Sequence, residues 1–405
     1  MIAGRDEAAA PLFYLIAGEP SGDTLGAALM RALKRRLGGR VRFVGIGGDQ
    51  MAQEGLSSRI NIRELAIMGI LEVLPSARRI LRHVRETVAD IQQQNPTAIV
   101  TIDSSGFCFR VGERLKQSAE TAGQSRPPII HYVAPMVWAW REFRARNAAR
   151  AADHLLTLLP FEPPYFEKVG LSATYVGHPV VEGDAARGNG AGFRQRHGIA
   201  PDAPILLALP GSRRGEVTRL LPPYADAVLR LVLDHPRLVV VLPTVDTVGA
   251  VVEAAVAQWP VRTVVVRGTA EKFDSFAAAD VALAASGTVT LELAAAGVPH
   301  VAAYRVAPFS AWLLRRLVKL PSVLLVNILI KRIVVPELLQ EECTGERLAA
   351  AVERLLSDPA ARSMQKSAFD EALGLIGRGG PAPSDRAAEI VLKLVAQPQS
   401  ETLGG

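Results

Sequence analysis

The sequence predicts an α/β chain built from two doubly wound, Rossmann-like domains. Three observations carry this. Short apolar runs alternate with stretches of helical periodicity along the chain, the pattern of parallel sheets covered by helices on both faces. The length, 405 residues, leaves room for two cores at ~150 residues per domain. Between the halves, the stretch 183–204 holds Gly183, Gly188, Gly190, Gly192, Gly198, Pro201 and Pro204, a linker composition. Two such domains are expected to face a cleft, because ligands of these sheets sit beyond the carboxyl ends of the strands.

The first half reads as strands at Leu12–Ala17, Val41–Ile46, Ala98–Ile102, Ile129–Val133 and His154–Leu159. Each is a short apolar run without polar alternation, as a strand buried on both faces requires. The second half repeats the pattern at Ile205–Leu209, Leu238–Leu242, Thr263–Val266, Val281–Ala284 and His300–Tyr304. Helical periodicity fills intervals such as Leu25–Leu37, Ala77–Gln93 and Glu216–Leu233. The expected division is 1–182, a linker 183–204, a second domain 205–365, and C-terminal helices over 366–405 that pack back on the first domain.

Composition excludes several classes. Hydrophobic residues make up 49% and charged residues 21%, which is globular rather than disordered. Two cysteines, Cys108 and Cys343, form no disulfide framework or Cys-rich metal site and suit a reducing compartment. Met1–Ala10 carries Arg5, Asp6 and Glu7 with no long apolar core, so no signal peptide is read there. His131, His154 and His178 show no metal spacing and read as core or turn histidines. The net charge of +6 favours an anionic partner, nucleic acid or acidic lipid.

Four stretches carry chemistry. The first strand ends in Gly18-Glu-Pro-Ser-Gly-Asp23, a cleft-facing loop or plain turn chemistry. Its spacing is not that of a dinucleotide-binding glycine loop, which argues against a nicotinamide enzyme. Asp103 directly follows the strand Ala98–Ile102. There it can take a proton from a sugar hydroxyl, or serve as an Asx-turn or helix cap. Leu209-Pro-Gly-Ser-Arg-Arg214 is the most informative segment: Gly211 permits a tight turn, Ser212 can cap the next helix, and Arg213 and Arg214 flank an N-terminus suited to a diphosphate. An ordinary strand-to-helix turn with solvated arginines looks the same. Ser286-Gly-Thr288 follows the strand Val281–Ala284. Ser286 is a cap candidate, the amides of Gly287 and Thr288 are free for an anion, and Glu292 shares a helix face with Thr288. Phosphate and ribose hydroxyls can be held together there; an exposed helical Glu is the plainer reading.

Leu65–Leu74, with Ile67, Met68, Ile70, Leu71 and Leu74, is apolar and is followed by Arg78, Arg79, Arg82 and Arg85. It is too short for a bilayer span of ~20 apolar residues, but an apolar face beside arginines fits interfacial membrane contact. A buried core helix fits too. Phe309–Val335 is a second such region, combining Trp312, Leu313 and Leu314 with Arg315, Arg316 and Lys319 and broken by Lys319, Asn327 and Lys331; Trp138 and Trp140 read as packing or acyl contacts.

In order, these segments resemble the lipid-A-disaccharide synthases, through nearly the whole chain. The resemblance rests on Ala17-Gly-Glu-Pro-Ser-Gly-Asp23, Phe43-Val-Gly-Ile-Gly-Gly-Asp49, Met68-Gly-Ile-Leu-Glu-Val-Leu74, His131-Tyr-Val-Ala-Pro-Met-Val-Trp-Ala-Trp140, Leu159-Pro-Phe-Glu162, Val176-Gly-His-Pro179, Leu209-Pro-Gly-Ser-Arg213, Ser286-Gly-Thr288, Tyr304-Arg305 and Pro336-Glu-Leu-Leu-Gln-Glu-Glu-Cys343. It implies a GT-B type fold and an inverting transferase needing neither metal nor cofactor. UDP-2,3-diacylglucosamine would be joined to the 6-hydroxyl of 2,3-diacylglucosamine 1-phosphate. The resemblance casts Asp103 as general base, Glu19 as an essential acid, Arg213 as the donor-phosphate arginine, Glu292 as the ribose-binding Glu and Asn327 as a donor-site asparagine.

It also implies peripheral contact with the cytoplasmic face of the inner membrane. Acidic lipid, rather than nucleic acid, then explains the charge; a homodimer stays open. Two positions depart from the family pattern. Gly106 stands where a second carboxylate is usual after Asp103, and Val326 stands where proline is usual before Asn327. A UDP-sugar 2-epimerase and a non-catalytic peripheral lipid-binding protein are the competing readings.

Overall fold

The computed structural model describes residues 10–58, 60, 62, 75–137, 143–306 and 321–396. The chain forms two compact units, 1–179 with 380–405, and 180–379.

In the first unit the apolar runs become β1 (Leu12–Ala17), β2 (Arg42–Ile46), β3 (Ser57–Ser58), β4 (Ala98–Ile102), β5 (Ile129–Tyr132), β6 (His154–Thr157) and β7 (Ser172–Tyr175). Among the described residues they form one parallel sheet in the order β3-β2-β1-β4-β5-β6-β7. Its helices include α1 (Pro20–Arg36), α2 (Asp49–Gln53), α3 (Pro75–Gln94), α4 (Ser105–Ala122), α5 (Phe143–Ala151) and α6 (Pro163–Glu167). Every residue of β1 is buried. Successive side chains point to opposite faces: Phe13, Leu15 and Ala17 pack in one core with Leu29 and Met30 of α1, while Tyr14 and Ile16 pack in another with Val84 and Val88 of α3.

The second unit contains α7 (Gly190–Arg196), β8 (Ile205–Leu209), α8 (Arg214–Asp234), β9 (Val239–Thr244), α9 (Asp246–Val256), β10 (Arg262–Arg267), α10 (Thr269–Ala278), β11 (Val281–Ala285), α11 (Thr288–Ala295), β12 (His300–Tyr304), α12 (Leu325–Ile330), β13 (Glu337–Leu339), α13 (Gly345–Ser357) and α14 (Pro359–Leu375). Its sheet is also parallel, ordered β10-β9-β8-β11-β12-β13. The α/β fold class is therefore observed, with the same strand order around both β1 and β8. The edge strands β3, β7 and β13 escaped the sequence reading. They are two to four residues long and lack the apolar run that marks a central strand.

The boundaries differ from expectation in two places. The stretch 183–204 is not a free linker. Phe193 of α7 is fully buried in the second unit's core, and Arg196 bonds Asp274 of α10 at 2.6 Å. Gly188 and Gly190 lie so close to the carbonyls of Phe273 and Ala277 that a Cβ at either would collide with them. These glycines serve close packing rather than flexibility. At the other end, α14 stays with the second unit: the Gln365 side chain exchanges hydrogen bonds with the backbone of His300, and Phe369 stacks on its ring. Only α15 (Pro383–Ala396) joins the first unit. There Ala387, Ala388 and Val391 enter the core, Asp385 pairs with Arg35 at 2.7 Å, and Arg386 lies over the Tyr175 ring. Among the described residues no helix is long and apolar enough to cross a membrane.

Candidate active site

In a doubly wound sheet the strand order reverses at one point, and the loops leaving the carboxyl ends there splay apart to leave a crevice. In the second unit that point lies between β8 and β11. Leu209 pairs with Ala284, so the loops 210–213 and 286–287 leave the sheet side by side. Together with the ends of β9 and β10 and the faces of α10 and α11 they line a cavity of about 640 Å³. Gly211, Ser212, Arg213, Ser286, Gly287, Thr288 and Glu292 all line it.

The local geometry corrects both cap assignments. The cap of α8 is Arg213, with extended backbone, and not Ser212. Gly211, at φ +106°, takes a left-handed turn, so the helix starts one residue later than the serine suggests. The cap of α11 is Gly287 and not Ser286; Ser286 still belongs to the sheet edge, its amide donating to Ala303 O at 3.1 Å. The first two amides of each helix, those of Arg214 and Gly215 and of Thr288 and Val289, lie ahead of the first backbone hydrogen bonds, which Glu216 and Thr290 make to the capping carbonyls, and they carry the positive end of the helix dipole. They suit an anion at the cavity wall.

Three carboxylates line this cavity, each beside a cation: Asp246 lies 3.8 Å from Arg267, and the other two are paired more closely. Glu216 accepts from Arg213 Nη1 at 3.1 Å; Arg213 is largely exposed, so the pair is easily exchanged for a ligand. Glu292 accepts from Lys272 Nζ at 2.6 Å. Neither Glu216 nor Lys272 was singled out in the sequence. Glu216 stands three residues after Arg213, a signal that was there to read, whereas Lys272 comes from α10, twenty residues before Glu292.

In the first unit the reversal lies between β1 and β4. Ala17 pairs with Ile102, which sets the loop starting at Gly18 beside the one starting at Asp103. A Cβ on Gly18 would collide with the Ser104 side chain. Asp103 and Ser104 both adopt left-handed backbone, at φ +54° and +39°. Asp103 Oδ1 accepts from the Ser104 amide at 2.8 Å and Oδ2 from Ser21 Oγ at 3.0 Å. The Asp103 amide donates to Tyr132 O at 2.9 Å. The next residue there, Val133, is β-branched and held at φ +83°. Such conformations cost of order 1–3 kcal/mol each and cluster at functional sites. The carboxylate is thus half-buried, held on both oxygens by neutral donors, and set on a strained loop at the sheet's switch point. Glu19 is exposed at the cap of α1.

Neighbouring groups narrow the roles. Asp23 is a structural brace: buried, it accepts from the amides of Gly48, Gln50 and Met51 at 2.8–3.0 Å. Burial, then the charge of Asp103, pushes the Cys108 thiol up. Burial holds His131 down to about 3, so this ring is neutral near pH 7, with Nδ1 2.8 Å from Thr101 Oγ1.

Asn327 does not line the cavity. It is buried; its Nδ2 donates to Val335 O at 2.9 Å and Glu337 at 2.7 Å, and its Oδ1 accepts from the amides of Val334 and Val335. With each end of the amide committed, it fastens α12 to the chain entering β13. Its place is thus outside the lining of this cavity. Ile67, Met68, Ile70, Leu71, Leu74, Trp138, Trp140 and the stretch Trp312–Lys319 lie outside the described residues. Among the described residues no group of three or more His, Cys, Asp or Glu is arranged to hold a metal.

The sequence profile described as lipid-A-disaccharide synthetase matches residues 13–380. A protein of Rhodospirillum centenum named lipid-A-disaccharide synthase is 51% identical over 398 residues, covering 97% of this chain and 98% of that one. The chain belongs to the lipid-A-disaccharide synthase family. It is accordingly a glycosyltransferase of lipid A biosynthesis. Solved structures show the GT-B fold at low identity. MurG of Acinetobacter baumannii superposes with TM-score 0.56 at 16% identity, over 94% of this chain and 99% of that one. A putative UDP-N-acetylglucosamine 2-epimerase of Listeria monocytogenes gives 0.64 at 14%, over 96% of each. The epimerase likeness is one of fold alone, so the epimerase reading is not favoured. Membership of a synthase family likewise displaces the non-catalytic reading.

Proposed function

We propose that this lipid-A-disaccharide synthase transfers 2,3-diacylglucosamine from its UDP derivative to the 6-hydroxyl of 2,3-diacylglucosamine 1-phosphate. The linkage formed is β-1,6, with inversion, and UDP leaves. The observation that carries the donor half is the cavity walled by two helix N-termini, Gly211-Ser-Arg213 and Ser286-Gly-Thr288. In the proposed step Asp103 accepts the proton of the 6-hydroxyl as that oxygen attacks the anomeric carbon. One base suffices, because inversion has no covalent intermediate. Charge developing on the departing diphosphate is met by Arg213 and the first-turn amides of α8 and α11. Glu292 accepts from the ribose hydroxyls, and Glu19 stands by as a second acidic group at the mouth of the first-unit loop. No metal or cofactor enters this scheme, since oriented amides and a guanidinium supply the positive charge.

Both substrates carry acyl chains and reside in a membrane. The reading therefore includes peripheral contact with the inner membrane's cytoplasmic face through Ile67, Met68, Ile70, Leu71 and Leu74. Acidic head groups add ~1 kcal/mol per well-placed Lys or Arg. The deciding experiment mixes the two acylated sugars with purified protein and follows UDP and the tetraacyl disaccharide 1-phosphate. UDP and disaccharide in equal amounts are expected; UDP-sugar consumed without acceptor, or no disaccharide, overturns the reading.

A further inference from the structure

The mechanism leaves several charged groups of the donor cavity without a task, Lys272 among them. Lys272 lines the same wall as Glu292. Its ammonium lies 2.6 Å from Glu292 Oε2, and it also sits 5.1 Å from the ring centre of Phe273 and 5.6 Å from that of Phe276. Phe276 is buried in the core, and Ser275 Oγ bonds the Lys272 carbonyl at 2.6 Å. The cation is therefore fixed from behind by two aromatic faces and by the end of α10. Both partners of the pair are about a quarter exposed, at 29% and 24%. A surface pair would be loosely held; this one is seated on the core.

A carboxylate that must accept from a ribose diol needs one oxygen anchored and the other left for the ligand. A flexible Glu one turn into a helix has neither property by itself. We infer that Lys272 is a positioning residue for the donor nucleoside: it pins Glu292 Oε2 so that Oε1 is presented to the ribose hydroxyls. The inference rests on the cavity being the UDP site. It assigns Lys272 an effect on ribose recognition and none on the proton transfer at Asp103.

The test is calorimetric and needs no lipid. UDP and 2′-deoxy-UDP are titrated into the parent protein, Lys272→Met, Lys272→Arg and Glu292→Gln, with thermal melts as a check on folding. A hydrogen bond to a charged group carries roughly tenfold or more in affinity, so the parent should prefer UDP by at least that factor. Lys272→Met should compress the preference to about twofold, as Glu292→Gln does, while Lys272→Arg retains most of it. Should Lys272→Met fail to melt cooperatively, Lys272→Gln supplies the same readout. An undiminished preference in the methionine or glutamine variant, with Glu292→Gln collapsing it, overturns the role of Lys272 and leaves the ribose contact intact. If neither variant alters the preference, the role is overturned together with the ribose contact. If the parent binds no UDP, the reading of the cavity fails at its root.

Discussion

Replacing Asp103 by Asn isolates the proposed base from the fold. The structure lets the cost to folding be worked out. At φ +54° the position is left-handed, and Asn tolerates that region as Asp does. The amide oxygen keeps the bond from the Ser104 amide, now at 2.8 Å to Oδ1. The new NH₂ faces Ser21 Oγ, which sits 3.0 Å from Oδ2, and a hydroxyl can turn to accept. What is lost is the charge on two hydrogen bonds, about 1 kcal/mol in total. The lost basicity is larger. An amide cannot take the 6-hydroxyl proton, and removal of a general base slows turnover by ~10²–10⁴-fold, or ~3–5 kcal/mol in the barrier. The assay follows UDP release from the two acylated sugars, with UDP affinity and the melting temperature measured on the same preparation. Slow turnover with unchanged affinity and near-parental melting is expected. Turnover within threefold of the parent would falsify the assignment. A melting temperature lowered by more than ~8 °C would show instead that the carboxylate holds the loop.

Arg213→Ala should weaken UDP binding about 10–150-fold, the worth of a charge-assisted contact; calorimetry that finds equal affinity removes Arg213 from the phosphate site. EDTA should leave the rate unchanged, and magnesium restoring activity after chelation would count against amide and guanidinium stabilisation. Acid should weaken the fold through buried histidines. His131 is held down to about 3 and His178 and His300 to about 4 by burial. The unfolded chain, with these groups near 6.5, therefore binds protons that the native state refuses. Their contribution is complete above pH 6.5 and lost as pH falls below it, by up to ~1.4 kcal/mol per pH unit for each ring. Denaturant unfolding at pH 6.5, 5.5 and 5 checks this, and His131→Asn should flatten the slope by about a third; a stability independent of pH across that range refutes it. Serine at Ile67, Ile70 and Leu71 should lower binding to anionic vesicles while leaving activity on detergent-dispersed substrate intact; loss of a cooperative melt would show the segment to be core instead.

The central strands were legible because a parallel strand buried on both faces must be apolar throughout. β1, β8 and β11 are such runs, fully buried from end to end. The same rule hides edge strands: β3 is two exposed serines, placed by pairing to β2 rather than by its own composition. Glycine misled in one stretch. Gly188 and Gly190 have the composition of a linker, yet they are small because α10 presses against them. Composition cannot tell a glycine chosen for freedom from one chosen for thinness.

The site divides along the same line. The positions of Asp103, Arg213 and Ser286 were legible because each lies in the loop directly after a strand flanking the switch point, and a strand's end is visible in sequence. The partners that set their state were not, since Ser21 reaches Asp103 from 82 residues away and Lys272 reaches Glu292 from a different helix. Asn327 shows a structural task that its sequence setting does not announce. The resemblance alone casts it as a donor-site asparagine; the structure adds that the buried backbone of 334–335 takes its amide as a partner. The departure at Gly106 becomes intelligible on the same terms. That position is exposed at the start of α4, with only Arg110 within 4 Å of where a Cβ would stand. A carboxylate there would sit beside a guanidinium at the surface, off the strained turn that holds Asp103. Without it Asp103 still has a hydrogen bond on each oxygen, from Ser21 and from the Ser104 amide, and the proposed inverting step calls for one base.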